Sequence, residues 1–139
     1  MHAVRSRHAS RSRRRSPVSD PVTARSELRV DQRLADQLAD TMFALSAPSR
    51  VQILACLRAG PLSVTQLTQV LQMEQSAVSH QLRVLRDHAL VRAERVGRNR
   101  LYALSDDHVA VLVSEALRHV EARTGLATQR ARTTARGTR

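Results

Sequence analysis

Apolar residues recur at helical spacing in five stretches of the chain. "VDQRLADQLADTMFALS" sets Val30, Leu34, Leu38, Met42 and Leu45 on one face, which predicts a helix of about four turns. "SAPSR" interrupts it, and Pro48 suits the first turn of a second helix, "PSRVQILACLRAG", which Gly60 and Pro61 stop. "SVTQLTQVL" opens with Ser63 and Gln66 at capping-box spacing and offers Val64, Leu67, Val70 and Leu71 as a buried stripe. "MEQSAVSHQLRVLRDHALV", Met73 to Val91, follows after a short connection, with Val78, Leu82 and Leu85 as its core stripe. The last helical stretch, "DDHVAVLVSEALRHVEAR", carries Val109, Leu112, Val113, Ala116, Leu117 and Val120. That face is too wide for a helix with one neighbour, so this helix is expected to pack against a second subunit, with the first helix as a further candidate.

Between the fourth and fifth helical stretches, "LVRAERVGRNRLYALS" alternates instead. It predicts two short strands around Gly97-Arg98-Asn99, a hairpin with a basic tip. Two short helices joined by a tight turn and followed by a β-hairpin make the order of a winged helix-turn-helix. The expected fold is therefore mainly α, with about five α-helices plus a two-stranded β-hairpin wing, as a homodimer.

The second helix of such a pair enters the major groove of DNA, so its solvent face must approach base edges. A solvated helix face ordinarily carries Glu and Lys. Here the face opposite Val78, Leu82 and Leu85 carries Ser76, Ser79, His80 and Arg83, with Gln75 beside them. Short hydroxyls permit close approach, the imidazole and amide add hydrogen bonds, and the guanidinium reaches guanine or a phosphate. Arg98, Asn99 and Arg100 fit wing contacts to phosphate or to the minor groove. These eight residues are the expected contacts to double-stranded operator DNA.

Composition changes this picture mainly at the ends. The net charge of the 139 residues is +11, but residues 1–23 contribute +5, residues 124–139 contribute +4, and residues 24–123 only +2. All 23 basic residues are Arg. Residues 1–24 are Arg/Ser/Pro-rich and aperiodic and are expected to be a disordered arm. Residues 25–123 form the DNA-binding and dimerisation domain, and residues 124–139 a second loose basic tail. The arm is either a solubilising extension or a source of non-specific DNA affinity. With one Tyr, one Phe and no Trp, the core must be aliphatic. The lone Cys56, in "VQILACL", excludes an internal disulfide and reads as a buried structural thiol. No apolar run approaches the roughly 18 residues of a membrane span. "SRRRS" has the twin-arginine look of an export signal, but no apolar segment follows it, so a cytoplasmic setting is expected. No Ser/His/Asp constellation, glycine-rich phosphate loop or Cys/His pair points to an enzyme.

"ALSAPSRVQIL", "MEQSAVSHQLRVLRDHALV" and "GRNRLYALSDDHV" resemble the ArsR/SmtB family of bacterial metal-responsive regulators over roughly residues 30–123, nearest its nickel- and cobalt-sensing branch. The resemblance implies a homodimeric winged-helix protein, generally a repressor that releases DNA when metal binds. The family's thiolate site needs a Cys-x-Cys type motif before the recognition helix, and "SVTQLTQVL" has none. The family's other site lies on the last helix, where this chain offers Asp106, His108 and His119. Eleven residues bring the two imidazoles back to within about 20° of one face but about 17 Å apart along the axis. Asp106 and His108 of one subunit would therefore meet His119 of an antiparallel partner helix. The local charge supports this: residues 106–122 hold four acids and one Arg, in a basic protein. The family pattern expects a further histidine where this chain has Ala122. A tetrahedral Zn²⁺ site is then incomplete, whereas six-coordinate Ni²⁺ or Co²⁺ recruits further N/O donors such as Glu115, Glu121 or His2.

The expected function is a sequence-specific transcriptional regulator responsive to nickel or cobalt, with metal-dependent repression or derepression. The alternatives are a regulator, activators included, with a degraded metal site that relies on a metal-sensing partner protein, and a non-specific architectural DNA binder driven by the arginine tails.

Overall fold

The computed structural model describes residues 21–26 and 29–125. Among them the order is α1 (Pro21–Ser26), α2 (Gln32–Ala44), α3 (Pro48–Leu57), β1 (Leu62–Ser63), α4 (Val64–Leu71), α5 (Gln75–Asp87), β2 (Val91–Val96), β3 (Asn99–Leu104) and α6 (Asp107–Thr124). The winged helix-turn-helix order expected from the periodicity is present, with two additions. A short helix, α1, begins at Pro21, inside the stretch assigned to the disordered arm. Proline's fixed φ and missing N–H suit a first helical turn. The rest of that arm, residues 1–20, and the tail from 126 onward lie outside the described residues. The second addition is β1, which pairs antiparallel with β3 through Leu62↔Tyr102 and Ser63↔Leu101. The wing is thus a three-stranded sheet in the order β1-β3-β2 rather than a two-stranded hairpin. Two residues are too few to show a period of two, so pairing with β3 is what makes this segment a strand.

Ser63 ends β1 and also caps α4. Its Oγ accepts from the Gln66 amide at 3.2 Å, while Gln66 Oε1 accepts from the Ser63 amide at 2.9 Å. The expected capping box is therefore formed. The turn between α4 and α5 passes through Gln72, whose φ of 52° is left-handed. α5 ends at Asp87, earlier than the apolar run allows. Ala89 adopts φ 54°, its amide bonds Arg86 O at 2.9 Å, and the Leu90 amide bonds Leu85 O at 2.9 Å. This is a Schellman closure with alanine at the position glycine usually holds. In the wing, Val96 faces Asn99 across the two-residue turn Gly97-Arg98. Gly97 has φ 61°, the conformation a II′-type hairpin turn needs at its first central residue. Asn99 accordingly opens β3 instead of sitting in the tip.

The core is aliphatic, as the composition requires. Ile53, Leu54 and Leu57 of α3, Leu67 of α4, Val78, Leu82 and Leu85 of α5, and Val109 and Val113 of α6 are buried together, with Tyr102 at the edge. One expected core position fails: Val70 is 62% exposed. On α4 it flanks Leu67 on the side opposite Val64 and Leu71, and the core lies on the Val64/Leu71 side.

α2 stands apart from this core. Only Ala44 of it is buried, and its Leu34, Leu38, Met42 and Phe43 face solvent in the isolated chain, as does Val30 just before it. α6 is divided. Val109 and Val113 are buried and Leu117 packs against the core, while Val111 and Val120 are 60% and 52% exposed. No helix among the described residues is long and apolar enough to cross a membrane.

Candidate nucleic-acid interface and metal-ligand cluster

α5 is anchored by its fully buried stripe Val78, Leu82 and Leu85, and this fixes what its other face shows. Gln75, Ser76, Ser79, His80 and Arg83 are all exposed. None of the five side chains is spent on a hydrogen bond or ion pair among the described residues, so their polar atoms are available to a ligand.

The wing adds positive charge. Arg98, Asn99 and Arg100 are exposed. Arg100 lies over the Tyr102 ring, 5.6 Å from its centroid, which holds the guanidinium beside the sheet. The register also places Arg95 directly opposite Arg100. Like charges facing each other across strands are destabilising on their own, and an anionic partner reverses that sign. Arg95 escaped the sequence reading. The signal was there in principle, because a two-residue turn at Gly97-Arg98 fixes every pair behind it. Arg92 is less available, since it pairs with Glu94 at 3.1 Å. A groove of about 520 Å³ runs between the start of α4 and the wing, lined by Thr65, Gln66, Arg98, Asn99 and Arg100 among others. The structure thus joins the wing tip to the first helix of the helix-turn-helix pair.

Arg50 is a second residue the sequence pattern did not single out. Its Nε donates to Ala44 O, its Nη2 to Phe43 O at 3.3 Å, and its Nη1 to Gln81 Oε1 at 3.1 Å. One guanidinium thereby closes the carbonyl end of α2 and holds α5. No periodicity could have revealed this, because the partners of this α3 residue lie on two other helices, α2 and α5.

The candidate metal ligands are only partly brought together. Asp106 is the N-cap of α6, and its Oδ1 accepts from the Val109 amide at 3.0 Å. The same oxygen lies 3.7 Å from His108 Nδ1, and the His108 side chain is almost wholly exposed. His119 is exposed on the same helix, about three turns further on. No group of three or more His, Cys, Asp or Glu that could hold a metal ion occurs among the described residues. Within one chain, then, Asp106 and His108 form a two-residue cluster and His119 stands alone. Apolar Val111 and Leu112 line a groove with Asp107, His108 and Glu115 next to that cluster. Cys56 packs against the core, and burial pushes its thiol pKa up, so it stays protonated and poorly nucleophilic.

Residues 47–93, spanning α3 through the start of the wing, match the "Bacterial regulatory protein, arsR family" sequence profile. The HTH-type transcriptional regulator NmtR of Mycobacterium tuberculosis is 54% identical over 92 residues, covering 66% of this chain and 77% of that protein. The chain belongs to the arsR family. Another relative, a transcriptional repressor SmtB homolog of Synechocystis, is 42% identical over 87 residues, 63% of this chain and 66% of its own length. Among solved structures, apo-NmtR in solution superposes with a TM-score of 0.59 at 47% identity, over 83% of this chain and 88% of that one. A homodimeric winged helix-turn-helix DNA-binding domain from Mycobacterium bovis, described as a possible ArsR-family regulator, gives a TM-score of 0.60 at 32% identity, over 70% and 91%. These relatives are regulators, in keeping with the want of catalytic motifs in the sequence.

Proposed function

We propose that the protein is a homodimeric, sequence-specific DNA-binding transcriptional regulator of bacterial operators, acting in the cytoplasm, whose DNA affinity responds to nickel or cobalt. The observation that carries the DNA reading is the exposed Gln75/Ser76/Ser79/His80/Arg83 face on a helix locked from behind by three buried aliphatic side chains. Arg98, Asn99 and Arg100 then contact the backbone or the minor groove beside it, and Arg95 joins them.

The dimer reading rests on the solvent-facing apolar residues of α2 and of the outer side of α6, which the chain itself leaves uncovered. The metal reading rests on α6. In an antiparallel pairing of two such helices, Asp106 and His108 of one subunit approach His119 of the other. Metal uptake then requires the dimer and biases its geometry. Three N/O donors per site, with Ala122 where the family pattern has histidine, suit Ni²⁺ or Co²⁺ completed by further oxygen or nitrogen ligands better than tetrahedral Zn²⁺.

A second reading has its own observation. The Asp106 oxygen nearest His108 already caps α6, so binding metal through it competes with a helix cap. On that reading the site is degraded and sensing belongs to a partner protein. Titration of DNA from the protein's own promoter, with and without Ni²⁺, Co²⁺ and Zn²⁺, separates the two. A shift of affinity with Ni²⁺ or Co²⁺ supports the first, and indifference to all three supports the second. Deleting residues 1–24 tests DNA specificity separately: retained operator preference supports a regulator, and its loss supports a non-specific binder driven by the arginine tails.

A further inference from the structure

The buried stripe Val78, Leu82 and Leu85 fixes which face α5 presents, and a directional bond adds a finer constraint on rotation about the helix axis that non-directional apolar packing does not supply. A recognition face only a few residues wide needs that rotation fixed. Among the described residues, the directional bond that reaches α5 from a distant part of the chain is Arg50 Nη1 to Gln81 Oε1, at 3.1 Å across 31 positions. The other side-chain hydrogen bonds between described residues join positions at most seven apart. Gln81 is half-buried, two residues from Ser79 and Arg83. The same guanidinium donates to Ala44 O and Phe43 O at the end of α2, the latter also accepting from the Ser46 amide and hydroxyl. α2 is otherwise attached to the core through little more than Ala44 and Leu45.

We propose that Arg50 and Gln81 are positioning residues, a strut that transmits the placement of α2 to the rotation of the recognition helix. The inference rests on the DNA reading by α5 proposed above. It goes beyond that reading by assigning a route from the apolar α2 surface to the base-reading face. In a dimer built on α2, the strut sets the angle at which each α5 meets its half-site. Discrimination between half-site spacings then depends on two side chains that need not touch DNA.

The test uses the full-length protein and the variants Gln81→Leu and Arg50→Lys. Leucine is a good helix former and keeps the volume, but cannot accept the bond. Lysine keeps the charge but cannot bridge the α2 carbonyls and Gln81 with a planar fork. Three duplexes are used: the footprinted site from the protein's own promoter, the same site with a single base pair inserted between its half-sites, and a random sequence. For Gln81→Leu we expect an unchanged dimer and about tenfold weaker binding to the natural site, the scale of one charge-assisted hydrogen bond. Binding to random DNA should be unchanged, and the penalty for the inserted base pair smaller than in wild type. Arg50→Lys should shift both quantities in the same direction. Without any DNA, amide hydrogen exchange across residues 75–87 should be faster in Gln81→Leu. Equal weakening on natural and random duplexes would overturn the strut and make Gln81 a phosphate contact. Unaltered exchange in α5 would overturn it independently of DNA. A wild-type protein with no preference for its promoter site would instead sink the DNA-reading proposal, while the exchange measurement still reports on the strut.

Discussion

His80 and Arg83 project from a helix whose buried side is already complete, so truncating them removes contacts with a ligand and leaves the fold alone. His80→Ala and Arg83→Ala should alter folding stability by no more than about 0.5 kcal/mol, as surface changes do. Each should weaken operator binding by about 1–3 kcal/mol if it reads a base edge. Gel-shift titration against operator and random duplexes checks this, and equal losses on both would demote the residue to a phosphate contact. All eight residues that the sequence leads one to expect at a DNA interface are exposed. They were legible because helical period and hairpin order together fix which side chains cannot be core. Arg95 and Arg50 were not: one depends on strand register, the other on carbonyls from a helix that bears no chemistry of its own. The candidate metal ligands are half legible. The sequence places His108 and His119 on one face, but the commitment of Asp106 to the α6 cap shows only in three dimensions. Calorimetry of Ni²⁺ uptake should show binding by wild type and loss of it in both His108→Ala and His119→Ala. Identical uptake by all three proteins would move the site elsewhere. Because metal needs deprotonated imidazole, uptake should also weaken on acidification.

At the scale of elements, two caps make predictions of opposite sign. Ser63→Ala removes the side-chain half of a capping box and should cost about 1 kcal/mol. Ala89→Gly should stabilise by about 0.5–1 kcal/mol, because φ 54° strains a residue with a Cβ and not glycine. Denaturant unfolding of both variants gives the two values directly. A loss of stability in Ala89→Gly would mean that glycine's extra freedom in the unfolded chain outweighs the relief of strain. The helices were legible because each is long enough to repeat its pattern. β1 and α1 were not, since two and six residues carry too little periodicity to be seen. Val70 was misplaced because a stripe of four apolar positions does not say which of its flanks meets the core.

For the whole molecule, the exposed apolar residues of α2 and α6 offer a cleaner test of assembly than those of the monomer core. Leu38→Glu and Val111→Glu alter side chains that already face water in the single chain. Neither should unfold it, yet each should break a seam that buries the new charge. Sedimentation should show monomers, and operator affinity should drop with dimer loss because two half-sites are read together. Intact dimers in both variants would place the seam on another surface. The sequence suggested an extra partner for the last helix from the width of its apolar face and offered the first helical stretch as a further candidate, and α2 does leave its apolar residues uncovered in the single chain. The third strand has a consequence of another kind. Because Ser63 both pairs with Leu101 and caps α4, the wing is stitched to the helix-turn-helix and has no independent hinge there. A reader braced at this joint should resist reshaping at the base of the wing to follow a groove of the wrong width. The expected outcome is that the duplex bends or twists to meet it, so that easily deformed sequences bind more tightly even at base pairs the protein never touches.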